Sequence, residues 1–208
     1  MLTLAAAAIV SYLLGSIPTG YLVGRLAGVD IRNAGSGNIG ATNVTRVLGK
    51  WRGCAVFIFD FAKGTLAVLV SISLSQNIQA KPVSPETYGI VGAFFSVLGH
   101  TFPVWLGLNG GKGVATSAGA LFGLMPLAVL IAGLVWVLIF EVTRYVSLAS
   151  VTAAVTLPVA VLVLTYLRHT NGMELFYFSL CLSAVVVFRH RSNLSRLRHG
   201  TEPRFKRK

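Results

Sequence analysis

The chain has 208 residues, of which 54% are hydrophobic and 12% charged, and its formal net charge is +12. A soluble domain of this length carries more charge on its surface, so the composition excludes an ordinary soluble protein. Several apolar runs approach the ~20 residues that cross a bilayer, which predicts an all-α integral membrane protein. A β-barrel is not predicted, because the sequence lacks alternating segments of about ten residues.

The basic excess is typical of the cytoplasmic loops of membrane proteins, which anionic headgroups attract. Nucleic acid is therefore not predicted as a partner, and the lipid bilayer is. Cys54 and Cys181 lie in apolar runs without metal-ligand spacing, so we expect packing residues and no disulfide framework. The first apolar run lacks the basic flank and cleavage site of a signal peptide, and we expect it to remain as a helix.

In chain order, the apolar runs predict one polytopic domain over residues 1–208 that ends in a frayed basic tail at 203–208. The predicted spans are 2–24, 53–76, 88–108, 114–140, 146–167 and 172–189.

Charge fixes the expected orientation. The basic loop 25–52 and the basic C-terminal segment should both be cytoplasmic, but six simple spans would place them on opposite faces. Pro126 removes a helical hydrogen bond, so we expect segment 114–140 to break into helices 114–123 and 126–140. The result is seven transmembrane or re-entrant helices, with an external N-terminus and a cytoplasmic C-terminus. A kinked single span is the alternative, and a ten-residue helix covers only about 15 Å.

The first of three polar blocks is Gly35-Ser-Gly-Asn-Ile-Gly-Ala-Thr-Asn-Val-Thr-Arg46. Its glycine spacing matches a dinucleotide fingerprint, but no strand or βαβ unit surrounds it, so we reject that site. Glycines still let backbone N–H groups approach a phosphate, and an arginine fork suits one. The candidate ligands are Ser36, Gly37, Asn38, Thr42, Asn43 and Arg46. A glycine turn followed by a capped helix is the structural alternative.

The second block is Gly99-His-Thr-Phe-Pro103, which runs into Gly110-Gly111-Lys112-Gly113. It is not a Walker A motif, because Gly113 stands where a serine or threonine must hold magnesium. A lysine between glycines can still approach a phosphate as a point charge. The alternatives are a flexible turn with a cytoplasmic lysine and a structural histidine.

The third block runs from Arg189 to Arg196 at the end of the last apolar segment. His190, Asn193 and Arg196 would share one face if the helix continues. A basic helix that holds lipid headgroups is the alternative. We expect Glu202 to pair with a nearby arginine.

Asp60 and Lys63 lie three residues apart inside the second apolar run. Ionisable residues within a membrane segment are costly and are usually paired or functional. Both a structural ion pair and a contact from Lys63 to a substrate phosphate stay open.

If the three blocks lie on one membrane face, they form one anion-binding site beside the acyl chains. That arrangement indicates chemistry that joins a phosphate compound to a lipid. An anion transporter is the main alternative, but it should place polar residues on both sides of a midplane site. A headgroup-binding scaffold is the second, although it would not require small residues beside the cations.

Together, the motifs at 35–46, 99–116 and 189–197 resemble those of the bacterial acyl-phosphate-dependent glycerol-3-phosphate acyltransferases of the PlsY type. The resemblance covers essentially the whole chain. It implies a seven-helix enzyme of the bacterial cytoplasmic (inner) membrane with its motifs in cytoplasmic loops. The implied reaction moves a fatty acyl group from acyl phosphate to the 1-hydroxyl of glycerol 3-phosphate, giving lysophosphatidate and phosphate, as the first step of phospholipid biosynthesis. It implies no metal or other cofactor, and we infer no obligate protein partner.

The resemblance also suggests roles for single residues. Ser36, His190 and Asn193 are the predicted catalytic residues, with His190 as a base or as a donor to the leaving phosphate, oriented by Asn193. The departing phosphate is an alternative proton acceptor. The predicted substrate-binding residues are Gly37, Asn38, Thr42, Asn43, Arg46, Lys63, His100, Gly110, Gly111, Lys112, Gly113, Thr116 and Arg196.

Overall fold

A computed structural model of the protein describes residues 2–76, 83–167 and 173–205. Every regular element in these ranges is helical, which confirms the predicted all-α class. The chain divides into two compact units, Met1–Leu124 and Met125–Lys208. That both belong to a single membrane domain stays a prediction.

The first unit is built around one long helix. Helices α1, α5 and α6 all pack against α4, and α3 packs against it as well. The six helices are α1 Leu2–Ser16, α2 Thr19–Leu26, α3 Ala41–Leu48, α4 Lys50–Gln76, α5 Pro85–Thr101 and α6 Val114–Leu124. Short 3-10 turns follow α2 and α5, at Ile31–Asn33 and Val104–Leu106.

Small residues bring α4 and α6 close together. A Cβ placed on Gly64 would lie 2.3 Å from the carbonyl oxygen of Thr116, and a Cβ on Gly119 would lie 1.9 Å from that of Phe61. Such contacts are typical of membrane helices, where backbones approach closely at small residues. The start of α6, which follows the second polar block, is thereby fixed against the middle of α4.

Two proline breaks decide the course of the chain. The predicted break of segment 114–140 is confirmed, because α6 ends at Leu124 and α7 begins at Pro126. The span predicted at 2–24 corresponds to the helical stretch Leu2–Leu26. It is not one continuous helix, because α1 ends at Ser16 and α2 begins at Thr19. Pro18 lies between them and has no N–H to continue the helical ladder.

The second unit contains α7 Pro126–Thr143, α8 Val146–Tyr166, α9 Glu174–Arg189 and α10 Arg191–Arg198. Helix α8 packs against both α7 and α9. The predicted start of the last span, at residue 172, lies outside the described residues.

The described part of the C-terminal tail is tied down, which corrects the expected fraying. The guanidinium Nε of Arg204 donates to the carbonyl of Thr143 at 2.9 Å, and the N–H of Phe205 donates to that of Arg144 at 3.1 Å. The Phe205 ring also contacts Phe140 edge-on. Residues 206–208 lie outside the part of the chain that the structure describes.

Five helical stretches in the described ranges are long and apolar enough to cross a membrane. They are Leu2–Leu26, Lys50–Gln76, Pro85–Leu106, Pro126–Thr143 and Val146–Tyr166. Helix α6 is apolar but has only 11 residues, and α9 has 16. The predicted count of seven transmembrane or re-entrant helices stays a prediction, as does the orientation of the termini.

Candidate active site

The first polar block is a loop organised by one buried amide. Asn43, on α3, is 1% exposed, and its side-chain oxygen accepts the N–H of Ser36 at 2.8 Å. Its amide nitrogen donates to the carbonyls of Ile31, Ala34 and Asn38 at 3.2, 3.0 and 2.9 Å. Since both ends of this amide bind the loop, Asn43 supports the turn around Ser36. That Asn43 also contacts substrate stays a prediction.

The loop presents Ser36 to the outside. Gly35 and Gly37 have φ angles of 61° and 71°, in the left-handed region that glycine adopts without strain. Ser36 is exposed between them, and the side-chain oxygen of Asn38 accepts the N–H of Gly40 at 2.8 Å. The tight turn therefore fixes the Ser36 main chain and leaves its side chain on the surface.

Helix α3 carries the cation of this block. Thr42 and Arg46 are both half-buried and lie four residues apart, which places them on one face of the helix. Thr45, one position before Arg46, donates its hydroxyl to the carbonyl of Ala41 at 2.9 Å. The block thus combines a glycine turn with a helix that displays a hydroxyl and a guanidinium together.

The second block folds back over the end of α5. The N–H groups of Gly110 and Gly111 donate to the carbonyls of Thr101 and His100, both at 3.1 Å. A Cβ on Gly111 would lie 2.1 Å from Nε2 of His100, so only glycine fits against the imidazole. The buried His100 ring therefore supports the main chain immediately before Lys112.

Buried polar groups collect beside this loop. In the described part of the chain, the hydroxyls of Thr101, Thr116 and Ser117 and Nδ1 of His100 have no hydrogen-bond partner. Two of the hydroxyls face Gly113, where a Cβ would lie 3.4 Å from Oγ1 of Thr101 and 3.8 Å from Oγ of Ser117. Since buried polar groups normally find partners, these hydroxyls are candidates to meet a substrate. Sequence reasoning named Thr116 as a candidate but not Thr101, which lies inside the second block, or Ser117, which follows Thr116.

A buried ion pair lies next to His100. Nζ of Lys63 is 2.7 Å from Oδ1 of Asp60 and donates to the carbonyl of Ile17 at 2.8 Å. The hydroxyl of Thr19 donates to the same Asp60 oxygen at 3.0 Å, and Nδ1 of His100 lies 3.6 Å from it. The structural ion pair is confirmed. The ammonium of Lys63 contacts Asp60 and the carbonyl of Ile17. That Lys63 also contacts substrate stays a prediction.

In the second unit, the third block begins between two helices. Helix α9 ends at Arg189, α10 begins at Arg191, and the buried His190 lies between them. Its Nδ1 is 2.8 Å from the carbonyl oxygen of Val186. A carbonyl oxygen only accepts, so Nδ1 carries a proton, and the neutral form of this ring has its lone pair on Nε2. The ring has the tautomer that a general base acting through Nε2 needs.

Glu202 links the face of α10 to α8. Its carboxylate accepts hydrogen bonds from Asn193 at 2.7 Å, Ser147 at 2.7 Å and Arg196 at 2.8 Å. Burial alone would raise the pKa of Glu202, but the donors Asn193, Ser147 and Arg196 outweigh it, so the pKa lies below its ordinary value.

Two predictions about this side of α10 are confirmed. Asn193 and Arg196 do share one side of α10, and Glu202 does pair with an arginine. The guanidinium of Arg196 donates to Glu202, and its assignment to substrate stays a prediction. That Asn193 orients His190 stays a prediction.

Comparison with known proteins shows sequence similarity over nearly the whole chain. The family model described as glycerol-3-phosphate acyltransferase matches residues 5–200. The glycerol-3-phosphate acyltransferase of Aquifex aeolicus is 41% identical over 203 residues, which cover 95% of this chain and 96% of the relative. That of Geotalea daltonii is 46% identical over 197 residues, which cover 95% of both chains.

Two solved structures have the same fold. Both are crystal structures of PlsY (YgiH), described as an integral membrane glycerol 3-phosphate acyltransferase. The glycerol 3-phosphate form gives a TM-score of 0.85 at 41% identity, over 98% of this chain and 96% of that chain. The lysophosphatidic acid form gives 0.82 at 40% identity, over 98% and 95%.

Membrane-spanning helices that end in glycine turns with cations, together with this likeness, define an integral membrane enzyme. More particularly, the chain belongs to the glycerol-3-phosphate acyltransferase family. The predicted family, the membrane class and the prediction of an acyltransferase are confirmed.

Proposed function

We propose that the enzyme transfers a fatty acyl group from acyl phosphate to the 1-hydroxyl of sn-glycerol 3-phosphate. The products are lysophosphatidate and inorganic phosphate, in the first step of phospholipid biosynthesis. The observation that carries this proposal is the full-length likeness to PlsY in both a glycerol 3-phosphate form and a lysophosphatidic acid form, a pair that corresponds to acceptor and product.

The chemistry needs positioning more than activation. Acyl phosphate is a mixed anhydride, so its carbonyl carbon is already electrophilic and phosphate is a good leaving group. The glycerol hydroxyl oxygen forms the new C–O bond, the anhydride C–O bond breaks, and phosphate departs with its electron pair. Catalysis then depends on holding two anions together and on stabilising charge at the carbonyl oxygen.

In the first block, Arg46 binds a phosphate group, and Thr42 on the same face of α3 assists. Ser36, Gly37 and Asn38 cradle the acyl phosphate with hydroxyl and main-chain donors. The exposed position of Ser36 and the positive φ angles on both sides of it support this role. Asn43 supports the block through hydrogen bonds to its main chain.

In the second block, Lys112 and the glycine main chain bind the phosphate of glycerol 3-phosphate. Thr116, together with Thr101 and Ser117, supplies hydroxyls for the polar part of the same molecule. Their burial without a partner in the described ranges supports this assignment. His100 supports the loop, since its ring lies against Gly111.

In the third block, His190 is the general base or the donor to the leaving phosphate, and Asn193 assists it. The hydrogen bond from Nδ1 to Val186 supports a base that works through Nε2. If the departing phosphate takes the proton instead, His190 is a positioner.

The enzyme lies in the bacterial cytoplasmic membrane, with its active site at the cytoplasmic face. We assign seven transmembrane or re-entrant helices, an external N-terminus and a cytoplasmic C-terminus. The basic residues of 25–52 and of the C-terminal segment support this orientation. The 11 residues of α6, roughly 16 Å long, support a re-entrant or thin crossing. No obligate protein partner is proposed.

The test is phosphate release by purified protein in lipid, supplied with palmitoyl phosphate and glycerol 3-phosphate. We expect release to depend on glycerol 3-phosphate, with lysophosphatidate formed in equal amount. Arg46→Ala should abolish both, whereas Arg25→Ala, which removes an exposed arginine before the first block, should retain them.

Two results would contradict the proposal. Binding of glycerol 3-phosphate without any acyl product would favour a transporter, and uptake by proteoliposomes would then be measured. An acyl group trapped on Ser36 would replace direct attack by a covalent route.

A further inference from the structure

We propose that Asp60 is a positioning residue, which fixes the loop Gly110–Gly113 through the ring of His100. The inference rests on the proposed function, in which this loop binds glycerol 3-phosphate. It gives the buried ion pair of α4 a part in substrate binding that acts through His100.

One oxygen of Asp60 collects contacts from three helices. Oδ1 lies 2.7 Å from Nζ of Lys63 on α4, 3.0 Å from the hydroxyl of Thr19 on α2, and 3.6 Å from Nδ1 of His100 on α5. Asp60 itself is 2% exposed. The carboxylate therefore hydrogen-bonds to α2 and lies beside the His100 ring of α5.

Stability alone is a weak reason for such a pair. Ionised groups inside a membrane segment are costly, and well-packed apolar residues often replace a buried ion pair without loss of stability. Asp60 and Lys63 are both buried within α4, which is long and apolar enough to span the membrane. A pair kept at this cost is better explained by the arrangement it imposes on its neighbours.

His100 passes this arrangement to the loop. The Nδ1 edge of its ring faces Asp60. Nε2, on the other edge, lies so close to Gly111 that a Cβ added to this glycine would be 2.1 Å from it. The loop is also bonded to the carbonyls of His100 and Thr101. Because there is no free space between the ring and Gly111, a displaced ring displaces the main chain that carries Lys112.

The test uses paired substitutions, since Asp60→Ala alone would leave a buried ammonium without its partner. Asp60→Ala/Lys63→Met removes both charges and the carboxylate that faces His100. Asp60→Asn/Lys63→Met also removes both charges but restores a polar side chain of the same shape at position 60. Lys63 is absent from both variants, so their difference reports on position 60 alone.

The matched control is Ser11→Ala/Ser71→Ala. These two hydroxyls lie 3.0 Å apart in the buried contact between α1 and α4 of the same unit. Like the test variants, it removes two buried polar groups, but neither of them contacts His100.

We expect Asp60→Ala/Lys63→Met to raise KM for glycerol 3-phosphate about tenfold, with kcat and the KM for palmitoyl phosphate nearly unchanged. Asp60→Asn/Lys63→Met should recover most of this loss, and the serine control should match the wild type. An unchanged KM for glycerol 3-phosphate in the folded alanine variant overturns the proposal. So does a fall in thermal stability and kcat without the change in KM.

If the alanine variant does not fold, His100→Gln tests whether the ring edge that faces Asp60 is needed to position the loop. Glutamine keeps an amide near Nε2 but lacks the ring edge that faces Asp60, so KM for glycerol 3-phosphate should again rise. A normal KM in this variant contradicts the proposal. A wild-type enzyme that forms no lysophosphatidate would contradict the proposed function itself, so the two failures are distinguishable.

Discussion

The side-chain oxygen of Asn43 accepts the backbone N–H of Ser36 at 2.8 Å, across seven positions of sequence. The same amide also donates to three carbonyls of the preceding loop. A single buried side chain on α3 therefore holds the turn that presents Ser36.

We expect Asn43→Ala to destabilise the protein by about 3 kcal/mol, because it leaves several buried backbone groups without partners. Acyl transfer should fall with it, since Ser36 loses its support. Asn33→Ala is the matched control, because Asn33 is exposed in the same loop. Thermal unfolding in detergent and phosphate release measure the two effects. Normal stability and activity in Asn43→Ala would show that the loop holds its shape without this amide.

Gly111→Ala should be poorly tolerated for a steric reason. The added methyl would lie 2.1 Å from Nε2 of the buried His100, so ring or loop must move. Overpacking of this kind costs about 1–3 kcal/mol, and we expect a raised KM for glycerol 3-phosphate. Gly133→Ala is the control, because nothing lies within 4 Å of its added methyl on helix α7. Equal kinetics for the two variants would contradict the role of the loop.

His190→Ala should lower kcat about 100-fold if the imidazole acts as base or donor. His199→Ala provides a close control, because exposed His199 makes the same hydrogen bond from Nδ1, to the Ser195 carbonyl at 2.8 Å. Near-normal turnover in His190→Ala would exclude both roles and leave the leaving phosphate as proton acceptor.

Glu202 predicts a pH dependence of stability in the second unit. Its folded-state pKa lies below the ordinary value of 4.5, so its hydrogen bonds stabilise the fold fully above that pH. The contribution is lost as pH falls through the lower folded-state pKa. Glu202→Gln should therefore be less stable than wild type at pH 7, with a difference that shrinks below pH 4.5.

The matched control for Glu202 is Glu141→Gln, because the Glu141 carboxylate pairs with Arg144 but is 55% exposed. Its thermal unfolding should follow the wild type at every pH. A difference between Glu202→Gln and wild type that grows on acidification would show that the sign of the shift is wrong.

The sequence was a good guide where a single residue decides the local structure. Pro126 ended one helix and began the next as expected, because proline cannot continue the hydrogen-bond ladder. Pro18 also ends a helix, but the apolar run on both sides of it favoured a single span in the prediction. The three motifs were recognised because residue type and order alone define them.

The roles of individual polar side chains were less accessible. Three side chains have the chemistry of a phosphate ligand, namely Asn43, Lys63 and Arg196. Their residue types alone do not reveal which groups they contact in the fold. In the fold they bind the loop around Ser36, the Asp60 carboxylate and Glu202. Thr101 lies inside the motif at 99–116 without standing out from its neighbours, and Ser117 lies just outside it.

Composition, charge and motif order thus determined the membrane class, the family and the chemistry, because these depend on which residues are present and in what sequence. The tertiary structure alone decided which polar groups pair with one another and which buried hydroxyls in the described ranges have no hydrogen-bond partner. That division depends on distances between helices, such as the 2.7 Å between Lys63 and Asp60 and the 3.6 Å from Asp60 to His100. Contacts between segments far apart in the chain follow from packing, which no local pattern encodes.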